Sequence, residues 1–167
     1  CSGRHPQNIE RDMQRWAINN LNLKVQPLMI KLPMLNANRD PEPKLFGILL
    51  PHELFAEMVS TPGDRGYDCL LGSPGTLQEF WDLHRDQDWF QAHPLRDTLG
   101  GQHDIPIRLW GDDRPLGKKR ELRTLTWCSA VGVGSAWKTR FPIYFAETDY
   151  LQPSTEREVL RIVAWSL

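Results

Sequence analysis

The stretch Ile105–Arg114 constrains the fold of this chain more than any other. Its sequence is IPIRLWGDDR, and an apolar residue occupies every second position from Ile105 to Leu109. A period of two is typical of a strand with one buried face. Gly111 then permits a sharp change of direction, and two acids, Asp112 and Asp113, follow it. The sequence therefore predicts a half-buried strand that carries two carboxylates at its exposed end.

Composition places the chain among ordinary globular proteins. It has 167 residues, of which 40% are hydrophobic and 25% charged, enough for one domain with a core. A net charge of -1 argues against a protein that coats nucleic acid generally, although a local basic patch stays open. The three cysteines include no CxxC pair, so neither a disulfide framework nor a zinc ribbon is indicated.

No targeting or membrane signal is visible in the sequence. No apolar run approaches the ~18 residues that a membrane span needs, and no signal peptide precedes the first helical pattern. We therefore expect no membrane partner and an intracellular location, with the nucleus among the compartments considered. The chain starts at Cys1 and ends at Leu167 within an apolar helical pattern, so a fragment is expected.

Strand patterns dominate the last third of the chain. Residues 121–130 are rich in β-formers, and Arg140–Glu147 alternates apolar and other residues. Three strands with short connections predict an antiparallel meander. Thr155 and Glu158 form a capping box that would open a final helix, apolar over a wide arc and suited to cover the sheet.

Helical and extended patterns fill the part before this meander. Thr76 and Glu79 form another capping box, ahead of a helix. The other expected elements are a helix over 8–21, an extended segment over Val25–Leu35, a linker over Asn36–Lys44 and a helix over 51–60.

The expected fold class is α+β, with an N-terminal helical region followed by a three-stranded antiparallel meander and a covering helix. We expect residues 1–44 to form an N-terminal helix and extended arm, residues 45–100 a helical subdomain, and residues 101–167 the meander with its helix.

The adjacent acids Asp112 and Asp113 are candidate ligands of a divalent cation. Mg²⁺ prefers oxygen ligands and needs only one or two carboxylates from a protein, and such ions assist phosphodiester chemistry. A basic run follows, whose charges would suit a phosphate backbone. Its members are Arg114, Lys118, Lys119, Arg120 and Arg123. The alternative is a solvated hairpin with an acidic turn and charged tips.

Six motifs in a fixed order carry a resemblance to a known family. They are LPHELF at 50–55, FW at 80–81, HPL at 93–95, IPIRLWGDD at 105–113, LTWCS at 125–129 and RIVAWS at 161–166. This order resembles a repeat-encoded family of uncharacterised protist proteins associated with mobile elements. The resemblance covers about residues 45–167.

This family looks like a transposase-type, RNase H-like domain. The resemblance implies the first half of that fold, with Asp112 as the first catalytic acid and metal ligand, Mg²⁺ or Mn²⁺ as cofactor, and DNA as partner. Two departures occur: where the family has His-Gly-Asp-Gly, this chain has Trp110 and Asp113 in place of the His and the second Gly. Asp113 is thereby interpreted as a turn residue. The remaining acids would lie beyond Leu167, in the rest of the parent domain, so the chain as given is expected to be inactive.

Two further interpretations stay open. A non-enzymatic α+β interaction module would use a tryptophan-rich surface, consistent with the seven tryptophans, and a partner would cover it. A decayed repeat copy would have no function.

Overall fold

The structure is a computed structural model that describes residues 25–60, 65–101, 103–116, 120–135 and 139–167. Helices accompany two antiparallel sheets, one of two strands and one of three. This confirms the α+β class, whereas the RNase H-like arrangement stays a prediction. The two-stranded sheet was not predicted, and the helix expected over 8–21 lies outside the described residues.

Five strands and five helices make up the described secondary structure. The strands are β1 (Leu28–Leu35), β2 (Pro41–Ile48), β3 (Ile107–Pro115), β4 (Glu121–Ser129) and β5 (Phe141–Glu147). The helices are α1 (Pro51–Ser60), α2 (Arg65–Leu71), α3 (Thr76–His84), α4 (Asp88–Gln91) and α5 (Pro153–Ser166), and a 3-10 turn occupies Thr148–Tyr150.

β1 and β2 form an antiparallel hairpin in which Leu28 faces Ile48 and Leu35 faces Pro41. The turn is closed by Asn36, whose Oδ1 accepts the N–H groups of residues 38 and 40 at 2.9 Å each. The linker expected over Asn36–Lys44 is therefore wrong, because its second half belongs to β2. The polar, proline-bearing composition suits an edge strand as well as a linker.

β3, β4 and β5 form the three-stranded sheet in that order. β5 is its best-buried strand, with Phe141, Ile143 and Tyr144 in the core. β3 lies at the edge and is exposed on nearly every residue of both faces. The expectation that β3 has one buried face is therefore wrong: its alternation is present, but the core of this sheet lies at β5 and leaves residues on both faces of the edge strand exposed.

Neither capping box forms as predicted: α3 has none, and that of α5 joins Gln152 and Thr155. α3 starts at Thr76 itself, after Gly75 in a left-handed conformation (φ 90°), and no side chain caps it. α5 starts at Pro153, so Thr155 is its third residue and Gln152 is the N-cap. Proline is well suited to the first helical position, which explains the earlier start of α5. Glu158 consequently lies beyond the first turn.

Contacts divide the chain into two compact units. The first comprises residues 1–60, 111–126 and 142–167, and the second comprises 61–110 and 127–141. The boundary expected at residue 44 falls inside β2. Of the helices that the structure describes, none is long and apolar enough to cross a membrane.

In the first unit, the N-terminus of α1 is held by the C-terminal turn of α5. Ser166 Oγ accepts the backbone N–H of His52 at 3.2 Å and lies 2.8 Å from His52 Nδ1. The ring of Trp165 packs edge-on against the His52 ring at 5.6 Å. The first N–H groups of a helix have no hydrogen-bond acceptor within that helix. Ser166 of α5, 114 positions later in the sequence, supplies the acceptor for the N–H of His52.

In the second unit, a small core forms around Trp81. Leu77, Phe90 and Val131 are buried with it, and its Nε1 donates to the carbonyl of Asp104 at 2.7 Å. A Cβ on Gly132 would come within 3.0 Å of the Cys69 carbonyl. Two backbone segments therefore meet where only glycine fits.

Thr155 is fully buried, and its hydroxyl joins two segments of the first unit. Its Oγ1 accepts the N–H of Gln152 at 3.1 Å and donates to the carbonyl of Pro33. Thr155→Val keeps the shape but removes both bonds, so we expect a loss of about 1–3 kcal/mol in the free energy of unfolding, measured in urea. Thr155→Ser keeps the hydroxyl and should lose less. Equal stability of the two variants would contradict this role.

Gly132→Ala should destabilise the protein by about 1–3 kcal/mol, because the added methyl overlaps the backbone of Cys69. Gly111→Ala is the control, since its Cβ would meet nothing closer than 4.0 Å. Thermal unfolding of both variants measures the difference. A loss for Gly111→Ala as large as that for Gly132→Ala would show that close packing is not the cause.

Candidate functional site

Asp112 and Asp113 lie inside β3, not in a turn after it. Successive side chains of a strand point to opposite faces of its sheet, so the two carboxylates do not act as a pair. Gly111 continues the strand where a change of direction was predicted. The interpretation of Asp113 as a turn residue is therefore wrong, because the ladder with β4 extends past it.

Asp113 forms a two-point ion pair with Arg123 on β4. The guanidinium Nε donates to Oδ1 at 2.7 Å and Nη2 donates to Oδ2 at 2.6 Å. A planar guanidinium matches a carboxylate in this two-point geometry. Both side chains are about one-third exposed (35% each), so solvent screens part of the attraction.

Glu156, in the first turn of α5, completes the arrangement. Arg123 Nη1 donates to Glu156 Oε1, and we call these three residues, Asp113, Arg123 and Glu156, the Arg123 cluster. A carboxylate in the first turn is also favoured by the helix dipole. Sequence reasoning missed Glu156, for which the only available signal was an acid in the first turn of a helix that was expected to cover the sheet.

The charges of the Arg123 cluster stabilise one another. The hydrogen bond from Arg123 lowers the pKa of Asp113, against a smaller opposing effect of burial. Hydrogen bonds to Asp113 and Glu156 raise the pKa of Arg123. Burial, and next the negative charge of Glu156, raises the pKa of Tyr144 to about 12. Asp113 and Arg123 are therefore ionised at neutral pH beside a neutral tyrosine.

An open pocket of about 330 Å³ surrounds this cluster. Its lining includes the three residues of the cluster, and Leu125, Tyr144 and Leu160 supply apolar surface. Asp112 also lines the pocket, so three acids and one arginine give its lining a net negative charge. Such a pocket favours a cationic or hydrogen-bond-donating group over a phosphate.

The other predicted site residues that the structure describes have ion-pair partners outside this cluster. Asp112 accepts a hydrogen bond from Arg114 at 3.0 Å, two residues along the same strand. Arg120 pairs with Glu147 at 3.1 Å. Lys118 and Lys119 lie outside the described residues. Each described arginine of the predicted basic run, at positions 114, 120 and 123, therefore already pairs with a carboxylate.

The donor set does not fit a Mg²⁺ or Mn²⁺ ion as it stands. In the described parts of the chain, no three His, Cys, Asp or Glu residues form a group that could hold a metal. Asp113 and Glu156 both bind Arg123, and Asp112 binds Arg114. A guanidinium thus takes the position between the two acids that a metal ion would need.

Arg123→Met should raise the pKa of Asp113 toward its ordinary value of 3.8, because it removes the hydrogen bond that lowers it. Since the folded-state pKa lies below 3.8, the pair stabilises the fold above that pH. That contribution is lost as pH falls through the lowered pKa. For partly exposed pairs it amounts to about 1 kcal/mol. Carboxyl NMR titration and acid unfolding measure both effects, and Arg114→Met is the control that should leave Asp113 unchanged.

Comparison with known proteins gives this chain no relative. No protein-family model, no curated protein and no solved structure matches it.

Proposed function

We propose that this chain is a non-catalytic α+β interaction module derived from a transposase-like mobile-element protein. The observation that carries the proposal is the exposure of large apolar side chains on β3, an edge strand. Ile107 is 39% exposed, Leu109 43% and Trp110 52%. Apolar side chains on an open sheet edge favour association with a further strand. The order of sequence motifs supports the mobile-element origin.

The Arg123 cluster supports a binding role over a catalytic one. Its two carboxylates are compensated by a group that stays charged at all accessible pH values. An acid that serves a metal ion or transfers protons needs free lone pairs or a pKa near neutrality. The pKa of Asp113 is shifted the other way, downward. We therefore assign the cluster the task of fixing α5 against β3 and β4.

A metal titration tests the proposal. Mg²⁺ and Mn²⁺ are added separately to the protein while calorimetry and tryptophan fluorescence are recorded. We expect no saturable signal for the wild type or for Asp112→Asn, and no metal-dependent nicking of supercoiled DNA. A saturable signal in the wild type that Asp112→Asn abolishes would overturn the non-catalytic assignment and favour Asp112 as metal ligand.

Metal-assisted phosphodiester chemistry on DNA is the second candidate. The observation that favours it is the convergence of an acid from β3 and an acid from the first turn of α5 on one guanidinium. The resemblance implies a catalytic acid on the first strand followed by a helix, although it assigns that acid to Asp112 and not to Asp113. In this candidate Arg123 would have to move from between the acids.

The variant Arg123→Met distinguishes the two candidates. If the acids form a latent cation site, this variant binds Mn²⁺, and the additional change Glu156→Gln abolishes that binding. If the cluster is structural, Arg123→Met binds no metal and is merely less stable. Circular dichroism confirms that each variant is folded.

A further inference from the structure

β3 is an edge strand of the three-stranded sheet, and in the part of the chain that the structure describes no strand pairs with its outer side. In the order β3-β4-β5 its one strand neighbour among the described residues is β4. The register of that pair follows from the bonds at its two ends. Ala130 N donates to the carbonyl of Pro106 at 2.8 Å, and Leu116 N donates to the carbonyl of Arg120 at 2.6 Å.

These bonds decide which backbone groups of β3 face outward. Bonded and non-bonded residue pairs alternate along an antiparallel ladder. Because positions 106 and 116 are both bonded toward β4, the even-numbered residues of β3 point their N–H and C=O groups inward. The odd-numbered residues, from Ile107 to Asp113, point theirs to the open edge. Pro115 also faces outward, where a missing N–H costs the sheet nothing.

The outward-facing segment is self-complementary in charge. If β3 pairs antiparallel with an identical strand about a two-fold axis at Trp110, Arg108 of each copy lies opposite Asp112 of the other. Trp110 lies opposite its own copy, and Leu109 lies opposite Gly111. The outward backbone groups of Leu109 and Gly111 then bond each other across the axis.

Other registers that keep the same backbone bonding lack this match. Displacing the axis by one residue toward the C-terminus brings Arg108 opposite Arg114, and displacing it by two brings Asp112 opposite its own copy. Displacing it toward the N-terminus brings Arg108 opposite Trp110 and then opposite its own copy. Displacing it by three toward the C-terminus brings Asp112 opposite Arg114, but it also brings Asp113 opposite its own copy and Pro115, which has no N–H, opposite Gly111. Like charges directly opposite are unfavourable, so the charges and Pro115 together select the axis at Trp110.

We propose that β3 pairs with β3 of a second copy of this chain, forming a continuous antiparallel sheet across a two-fold axis at Trp110. The proposal rests on the assignment of the chain as an interaction module and names its partner. The Trp110 side chain is held in place by Arg140, whose guanidinium lies over the indole ring at 4.8 Å from its centroid. An ordered tryptophan at the axis loses little further side-chain entropy on pairing.

Charge exchange tests the pairing. Arg108→Asp makes residues 108 and 112 both acidic, and Asp112→Arg makes both basic. Each single variant alone should dimerise roughly ten-fold more weakly than the wild type, because two symmetric pairs become repulsive. An equimolar mixture of the two variants should form a heterodimer, and the double variant should dimerise like the wild type. Sedimentation from about 5 to about 500 µM measures the association.

A backbone variant gives an independent test. Leu109→Pro removes an outward N–H and leaves the bonds to β4 in place, so the monomer should stay folded while dimerisation is lost. Circular dichroism verifies the fold. Trp110→Pro, which removes an inward N–H, is the contrasting variant and should unfold the sheet itself.

Two results would overturn the pairing. The first is a wild-type protein that stays monomeric over the whole range, and the second is dimerisation that neither the single charge variants nor Leu109→Pro weakens. Neither result touches the metal titration, so failure of the pairing and failure of the non-catalytic assignment are distinguishable.

Discussion

The bonding of Arg123 to two carboxylates is the interaction that joins β3, β4 and α5 in the first unit. One guanidinium donates to a carboxylate on β3 and to a carboxylate in the first turn of α5. The three side chains are each about one-third exposed. Solvent therefore screens only part of the attraction between their charges, and their burial removes only part of their hydration. Removing either acid leaves the other to neutralise Arg123 alone, whereas removing Arg123 leaves two like charges in one pocket.

This coordination gives the two adjacent acids different tasks. Residues 112 and 113 differ by one position on a strand, and hence by one face of the sheet. Asp113 faces Arg123, whereas Asp112 turns to Arg114 on its own strand. A pair of acids that looks like one chelating unit in the sequence is therefore two separate ion pairs. The bidentate arginine fixes geometry in a way that a hydrated cation would not.

Local sequence patterns predicted which helices and strands form in this chain better than they predicted where each one ends and what it packs against. The helix over 51–60 and the three strands of the meander could be predicted, because each carries its own periodicity. The end of β3 could not, since Gly111 and two acids have the composition of a turn. Pairing with β4, a non-local contact, carries the strand on to Pro115. Glu156 was missed for the same reason: its partner Arg123 lies 33 positions away.

Edge strands invite unwanted pairing, and β3 carries two of the usual defences against it. Pro115 ends the row of backbone N–H groups that point outward, and the charged side chains of Arg108, Asp112 and Arg114 interrupt the exposed apolar surface of the strand. Charges that oppose most registers nevertheless leave one in which opposite signs meet and no like charges face each other. The same residues thus exclude indiscriminate association and permit one symmetric partner. Specificity of this kind arises from the repulsion in the alternative registers as much as from the attraction in the favoured one.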